Sequence, residues 1–248
     1  MDAALALFAL APGLALGSFL NVVAARVPLR RSLVTPGSTC FACETPIAWY
    51  DNVPLLSYAV LRGRCRHCHA SIPWKYPAVE AATAALVSGC FLRFGLSSAA
   101  FVGAFFCCVL VAVTVTDFER RIIPNRIVLP AAAVVLAANT ALRPSPIWAI
   151  AAVGAALFLL LAALAYPGGM GMGDVKLALL LGAALGRTVP VAMMAGMLSA
   201  LVPSVAVLAK HGRAGRKMGI AFGPFLALGG VVALFAGGPL LDAYLRHF

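Results

Sequence analysis

Six residues of this 248-residue chain have types and spacings that can do chemistry. Asp117 follows the apolar run Val109–Thr116 and opens the stretch Asp117-Phe118-Glu119-Arg120-Arg121-Ile122-Ile123-Pro124-Asn125. Asp174 closes Gly171-Met172-Gly173 and precedes Val175-Lys176. Two carboxylates brought together can share one proton. The charged one activates a water and the protonated one donates to a carbonyl oxygen, which is the chemistry of aspartic proteases. Gly171 and Gly173 have no side chain, so substrate backbone or another helix can approach Asp174 closely. Lys176 is a candidate charge partner or lipid-edge anchor. The other four residues are Cys40, Cys43, Cys65 and Cys68, two CxxC knuckles separated by 21 residues. Four thiolates at this spacing suit one tetrahedral zinc with no position left open for water, hence a structural ion. His67 and His69 are alternative ligands; a redox pair or a metal-free lobe are the other readings.

The elements that must position these residues follow from composition. Sixty-two per cent of the chain is hydrophobic and only 11% is charged, where a soluble domain is nearer half apolar and a quarter charged. The excess has no place in a soluble core, but it suits spanning helices of roughly 20 apolar residues. The apolar runs predict helices near 3–24, 78–93, 99–116, 127–142, 147–166, 174–187, 189–209 and 219–241. The sixth is short, so the expected count is eight, with seven as the alternative. The first run begins almost at Met1 without a basic segment before it, unlike a cleaved signal peptide. The fold class expected is an all-α polytopic transmembrane bundle.

The net charge of +11 would suggest nucleic acid in a soluble protein, but its distribution points to topology. With the N-terminus outside, the loops at 25–77, 117–126, 167–173 and 210–218 fall on the cytoplasmic side. That side, counting Lys176, holds fifteen Lys and Arg residues. The other holds Arg93, Arg143, Arg187 and Arg246. This is the positive-inside asymmetry of a membrane protein, and no nucleic-acid partner is expected. Both aspartates then lie at the cytoplasmic edge, 57 residues apart in sequence and level in depth. Asp174 also begins a predicted helix, where the helix dipole favours an anion.

Only the stretch 26–77 is long and polar enough to form a separate lobe. It is punctuated by prolines and glycines, and about fifty residues is too few for a generous core, so a staple is expected. On the cytoplasmic side thiols stay reduced, which favours zinc over disulfides. The expected organisation is therefore a first helix over 1–25, a zinc-stapled lobe over 26–77 and a membrane domain over 78–248. Cys90, Cys107 and Cys108 lie in apolar runs and read as packing residues. No internal repeat is visible. The segment Gly17–Val23 either packs helices or approaches a cofactor. A membrane-edge aspartate is often only a helix cap, and paired carboxylates also mark ion paths. From the aspartates alone a transporter is the main rival to a protease, and a zinc-bearing scaffold is a third reading.

Four blocks of residues, in order, narrow the choice. They are Gly17-Ser18-Phe19-Leu20-Asn21-Val22-Val23 with Arg26-Val27-Pro28, the segment Cys40–Glu80, the pair TDFERRIIPN and GMGMGDVK, and Phe222-Gly223-Pro224-Phe225-Leu226. Together they resemble the type IV prepilin peptidases, GxGD-type membrane aspartyl proteases, over nearly the full length. The resemblance implies that Asp117 and Asp174 are the catalytic aspartates. It also implies cleavage of the short basic leader of prepilins and pseudopilins at the inner membrane, then N-methylation of the new terminal residue from S-adenosylmethionine. Retention of the lobe and all four cysteines favours the bifunctional form. No glycine-rich nucleotide turn after a strand is visible, so the residues that bind the methyl donor are unknown. A basic leader should meet anions, and Glu44, Asp51, Glu80 and Glu119 are the ones available, with anionic lipid headgroups as help.

Overall fold

A backbone crossing lipid must bond every N–H and C=O within itself, which a helix does. The computed structural model describes residues 2–166, 170–215 and 220–247, and these are helical with two isolated β-bridges and no strand. The helices are α1 (Asp2–Arg26), the short α2 (Leu56–Val60), α3 (Lys75–Phe94), α4 (Ser98–Arg120), α5 (Asn125–Leu142), α6 (Ile147–Ala165), α7 (Met172–Leu185), α8 (Val189–Gly215) and α9 (Gly223–Leu245). Seven stretches among the described residues are long and apolar enough to cross a membrane. All eight expected helices are present, as α1 and α3–α9, and they make seven spans because α7 and α8 share one continuous apolar stretch, Met172–Lys210. Gly186, at φ 54°, breaks it into α7 and α8. With 14 residues, α7 is only about 21 Å long. Residues 167–169 and 216–219 lie outside the described residues, and with them part of the predicted loops at 167–173 and 210–218, Arg216, Lys217 and the predicted helix start at 219.

The chain forms two units, Met1–Ala112 and Val113–Phe248. In the first, α1 and α3 pack along their length. Gly13 and Gly17, one turn apart, let the backbones touch: a Cβ on Gly13 would lie 2.7 Å from Ala84 Cα, and one on Gly17 2.6 Å from Glu80 Cα. Small residues four apart are the usual means of close helix approach in lipid, so Gly17 packs helices. Helix α3 begins at Lys75, earlier than expected, which puts Glu80 in its second turn rather than at its start. Glu80 is buried and accepts a hydrogen bond from the Leu55 amide at 2.9 Å. Asn21 of α1 donates to the Tyr76 carbonyl at 3.3 Å. The lobe is thus tied to the root of the helix that follows it.

Within the lobe a repeat emerges that the sequence hid. Thr39 pairs with Pro46 and Arg64 with Ser71. The amides of Cys40, Glu44 and Ile47 bond to Thr45, Cys40 and Ser38, while those of Cys65, His69 and Ile72 bond to Ala70, Cys65 and Gly63. Glu44 and His69 both sit at positive φ, 55° and 56°. Every element of the second knuckle is the first displaced by 25 positions. Only the two cysteines and the isoleucine are shared by Cys40–Ile47 and Cys65–Ile72, because backbone geometry and not side-chain identity is what repeats.

In the second unit, α7 is the central helix, packed against α5, α6 and α9. Leu177, Leu180 and Leu181 are fully enclosed. Asn139 of α5 donates to the Ala183 carbonyl of α7 at 2.9 Å, an interhelical polar tie of the kind common between helices in lipid. Gly182 lies directly on the Ala151 carbonyl of α6 and Gly229 of α9 on the Ala192 carbonyl of α8. Gly182→Val therefore drives α6 from α7. Overpacking of this kind costs about 1–3 kcal/mol, and the expected result is a clear fall in detergent-solubilised thermal stability, whereas Gly154→Val, whose Cβ would meet nothing within 4 Å, should leave it unchanged.

Candidate active site and thiol cluster

Helix α4 continues past the predicted end and stops at Arg120. Asp117 consequently lies in its last turn rather than at the start of a loop. The helix ends because Arg121 takes positive φ, 53°, ahead of Pro124, the N-cap of α5. Asp174 is the third residue of α7, and its carboxylate folds back to accept the Gly171 amide at 3.2 Å. This satisfies one of the donors a helix start leaves unpaired. Asp117 Oδ2 accepts the amide of Gly223, the first residue of α9, at 3.0 Å and across 106 residues of sequence.

Both carboxyl groups are buried, 6% exposed for Asp117 and 8% for Asp174, yet both line one cleft of about 340 Å³. Its walls are the loop Arg121–Asn125, Gly171 and Gly173 at the start of α7, and Ile220, Ala221 and Phe222 before α9. Arg121 lines the same cleft. Gly173 faces Ile123: a Cβ there would lie 2.9 Å from Ile123 Cβ. The same isoleucine reaches Gly223, where a Cβ would lie 3.1 Å from its Cδ1. One hydrocarbon side chain is thus wedged between the two helix starts that carry the site. Lys176 does not line the cleft. Its ammonium donates to Asn125 Oδ1 at 2.9 Å, joining α7 to the first residue of α5.

Asp117, Asp174, Gly171 and Gly173 stand out in the sequence as site residues, whereas Ile123, Phe222 and Gly223 stand there only inside motif blocks, with no role of their own. Gly223-Pro224 carried a signal: proline in the first turn marks a helix start, and a helix start offers unpaired amides.

In the first unit the sulfur atoms of Cys40, Cys43, Cys65 and Cys68 all lie within 4.8 Å of one another. Cys40 and Cys68 are 3.7 Å apart, Cys43 and Cys65 4.0 Å. A tetrahedral zinc with sulfur at about 2.3 Å separates its ligands by about 3.8 Å, so the donor set fits. The knuckle backbone acts unevenly on the thiols, and burial with the neighbouring thiols pushes Cys68 up to about 11. The Thr45 hydroxyl and amide pull the Cys43 thiol down to about 6, and the amides of Cys68 and His67 lower Cys65. Neither His67 nor His69 belongs to the cluster. Arg66 of the second knuckle forks onto Asp51 at 2.8 and 2.6 Å and holds that carboxyl below the usual range. This occupies one of the anions considered for a basic leader.

Residues 12–94 match the bacterial Peptidase A24 N-terminal domain and residues 104–206 the type IV leader peptidase family. A prepilin leader peptidase/N-methyltransferase of Bacillus subtilis is 34% identical over 242 residues, covering 94% of this chain and 95% of that protein. The chain belongs to the type IV leader peptidase family. Among other leader peptidases of that name, one from Burkholderia pseudomallei is 36% identical over 94% of this chain and 85% of its own length. One from Xanthomonas campestris is 33% identical over 94% and 92%. No solved structure is significantly similar to the chain. As a leader peptidase with both carboxylates on one cleft, a double Asp117→Cys, Asp174→Cys variant should be bridged by a short bismaleimide. Mass spectrometry of the digest should show the 117–174 link, and no such link for cysteines at 117 and 187.

Proposed function

We propose that this chain cuts the leader from prepilins and pseudopilins in the membrane and N-methylates the new terminus, with Asp117 and Asp174 as the catalytic pair. The observation that carries the reading is that two buried carboxylates, delivered by the end of α4 and the start of α7, line one cleft and each accept one backbone amide. In that arrangement one carboxylate takes a proton from a water as its oxygen bonds to the scissile carbonyl carbon. The other donates its proton to the carbonyl oxygen. Collapse of the tetrahedral intermediate breaks the C–N bond, and the amine leaves with a proton. Burial removes bulk water, so each of these charge movements is felt strongly. Gly171 keeps the wall beside Asp174 low, while the space at Gly173 is taken by Ile123. Lys176, through Asn125, fixes where α7 begins.

The charge asymmetry supports an inner-membrane protein with the lobe and the cleft facing the cytoplasm. The lobe, 26–77, is the region we assign to methylation, and 78–248 the peptidase region. Zinc on the four cysteines would be structural. It would hold the two knuckles together, and the lobe with them. The methyl donor of an N-methyltransferase is S-adenosylmethionine, but the described residues of the lobe contain no strand and glycine turn of the kind that cradles it in Rossmann-type enzymes, and no side chain is assigned to it.

A purified prepilin scored by mass, with S-adenosylmethionine present, tests the assignment. Native protein should give the shortened product carrying one added methyl. Asp117→Asn and Asp174→Asn, still folded, should each cleave slower by about 100- to 10,000-fold or more, the range of lost acid–base catalysis. Near-native cleavage by either variant removes the dyad. Zinc is tested separately. Metal analysis should find one zinc per chain, and a chelator should expose residues 26–77 to proteolysis and reduce methylation before cleavage. Immediate loss of cleavage in a still-folded protein would mean that the metal serves the peptidase.

A further inference from the structure

Asp117 occupies an awkward place for an anion. It lies in the last turn of α4, where the negative end of the helix dipole opposes a carboxylate. The start of α9 offsets this. Gly223 is the first residue of that helix, and its amide has no partner within the helix. That amide is 3.0 Å from Asp117 Oδ2. Position 223 has no room for anything larger than glycine: a Cβ would stand 2.8 Å from Oδ2 and 3.2 Å from the carboxyl carbon. The contact is thus made by an N–H that approaches because the side chain is missing. Gly171 also gives its amide to an Oδ2, that of Asp174, at 3.2 Å, but there a Cβ would stand at an ordinary 3.5 Å from the oxygen.

We propose that Gly223 is the positioning residue for Asp117: its N–H holds Oδ2 in one orientation and leaves Oδ1 to the reacting water and carbonyl, matching the way Gly171 holds Asp174. The proposal rests on the two aspartates being the catalytic pair. On this view Gly223 touches no substrate. It acts by fixing the angle and depth of one carboxylate, and a displacement of about 1 Å in a reacting group can slow catalysis about 100-fold.

The test is Gly223→Ala in the full-length protein, beside Asp117→Asn and Gly229→Ala. Gly229 packs α9 on α8 through the Ala192 carbonyl and serves as a purely structural comparison. Four quantities are read: kcat and KM for prepilin cleavage, methylation of an already cleaved pilin peptide, and thermal stability. Gly223→Ala is expected to lower kcat about 100-fold, with KM within about twofold and methylation unchanged. Gly229→Ala is expected to lower stability without that split. The double variant Gly223→Ala, Ile123→Val, measured against Ile123→Val alone, covers loss of folding. Removing Ile123 Cδ1 clears the hydrocarbon obstacle at 3.1 Å and leaves the clash with the carboxylate. Stability should recover and kcat should not. If kcat recovers with stability, or if Gly223→Ala cleaves at the native rate while Asp117→Asn is inactive, the positioning role is wrong and the dyad stands. If kcat, KM, methylation and stability all fall together, Gly223 is a packing residue only. Native cleavage by Asp117→Asn would remove the dyad, and the role of Gly223 with it.

Discussion

The second unit depends on how closely the backbone of α7 can be approached. This helix is short, and at Gly182 it rests on a carbonyl of α6. At Gly173 its backbone meets the Ile123 side chain. Lys176 and Asn139 tie it to α5 at two heights. These contacts together set the position of the carboxylate in its first turn. Groups that must act together within a fraction of an ångström are better placed on such an element than on a loop.

The two carboxylates reach the cleft by opposite routes. Asp174 uses the N-terminus of its own helix, with a partner three residues away. Asp117 uses the C-terminus of α4 and borrows its amide from the start of α9. Local chemistry is enough for the first and tertiary structure is required for the second. Between them Ile123 fills the space that would otherwise let water or a side chain separate the two helix starts. Its loop, Arg121–Pro124, is short because Arg121 turns the chain at positive φ and Pro124 caps the next helix.

Much of this was legible in the residues. Apolar runs reported the helices, since lipid leaves the backbone no other solution. The CxxC pairs reported the thiol cluster, because the ligand spacing of a metal site is local. The aspartates were legible as two carboxylates at apolar boundaries. What stayed hidden depends on contacts between distant segments. Phe118-Glu119-Arg120 looks like loop by polarity, yet it continues α4 and so buries Asp117. Gly223 was visible only as a residue of a motif, because an amide has no letter in the sequence. The knuckle repeat was hidden because Glu44 and His69 share a backbone conformation and no side-chain chemistry. Lys176 looked like a charge partner, and its amide contact with Asn125 lies 51 residues away.

The span between Asp117 and Gly223 has a consequence for biogenesis. A ribosome releases the chain from the N-terminus, so both aspartates enter the bilayer while α9 is still unmade. Until that last hairpin with α8 docks, Oδ2 of Asp117 lacks its amide and the wall formed by Ile220, Ala221 and Phe222 is absent. The cleft therefore stays incomplete until α9 has been made, because Asp117 takes its amide from a helix start 106 residues further along the chain.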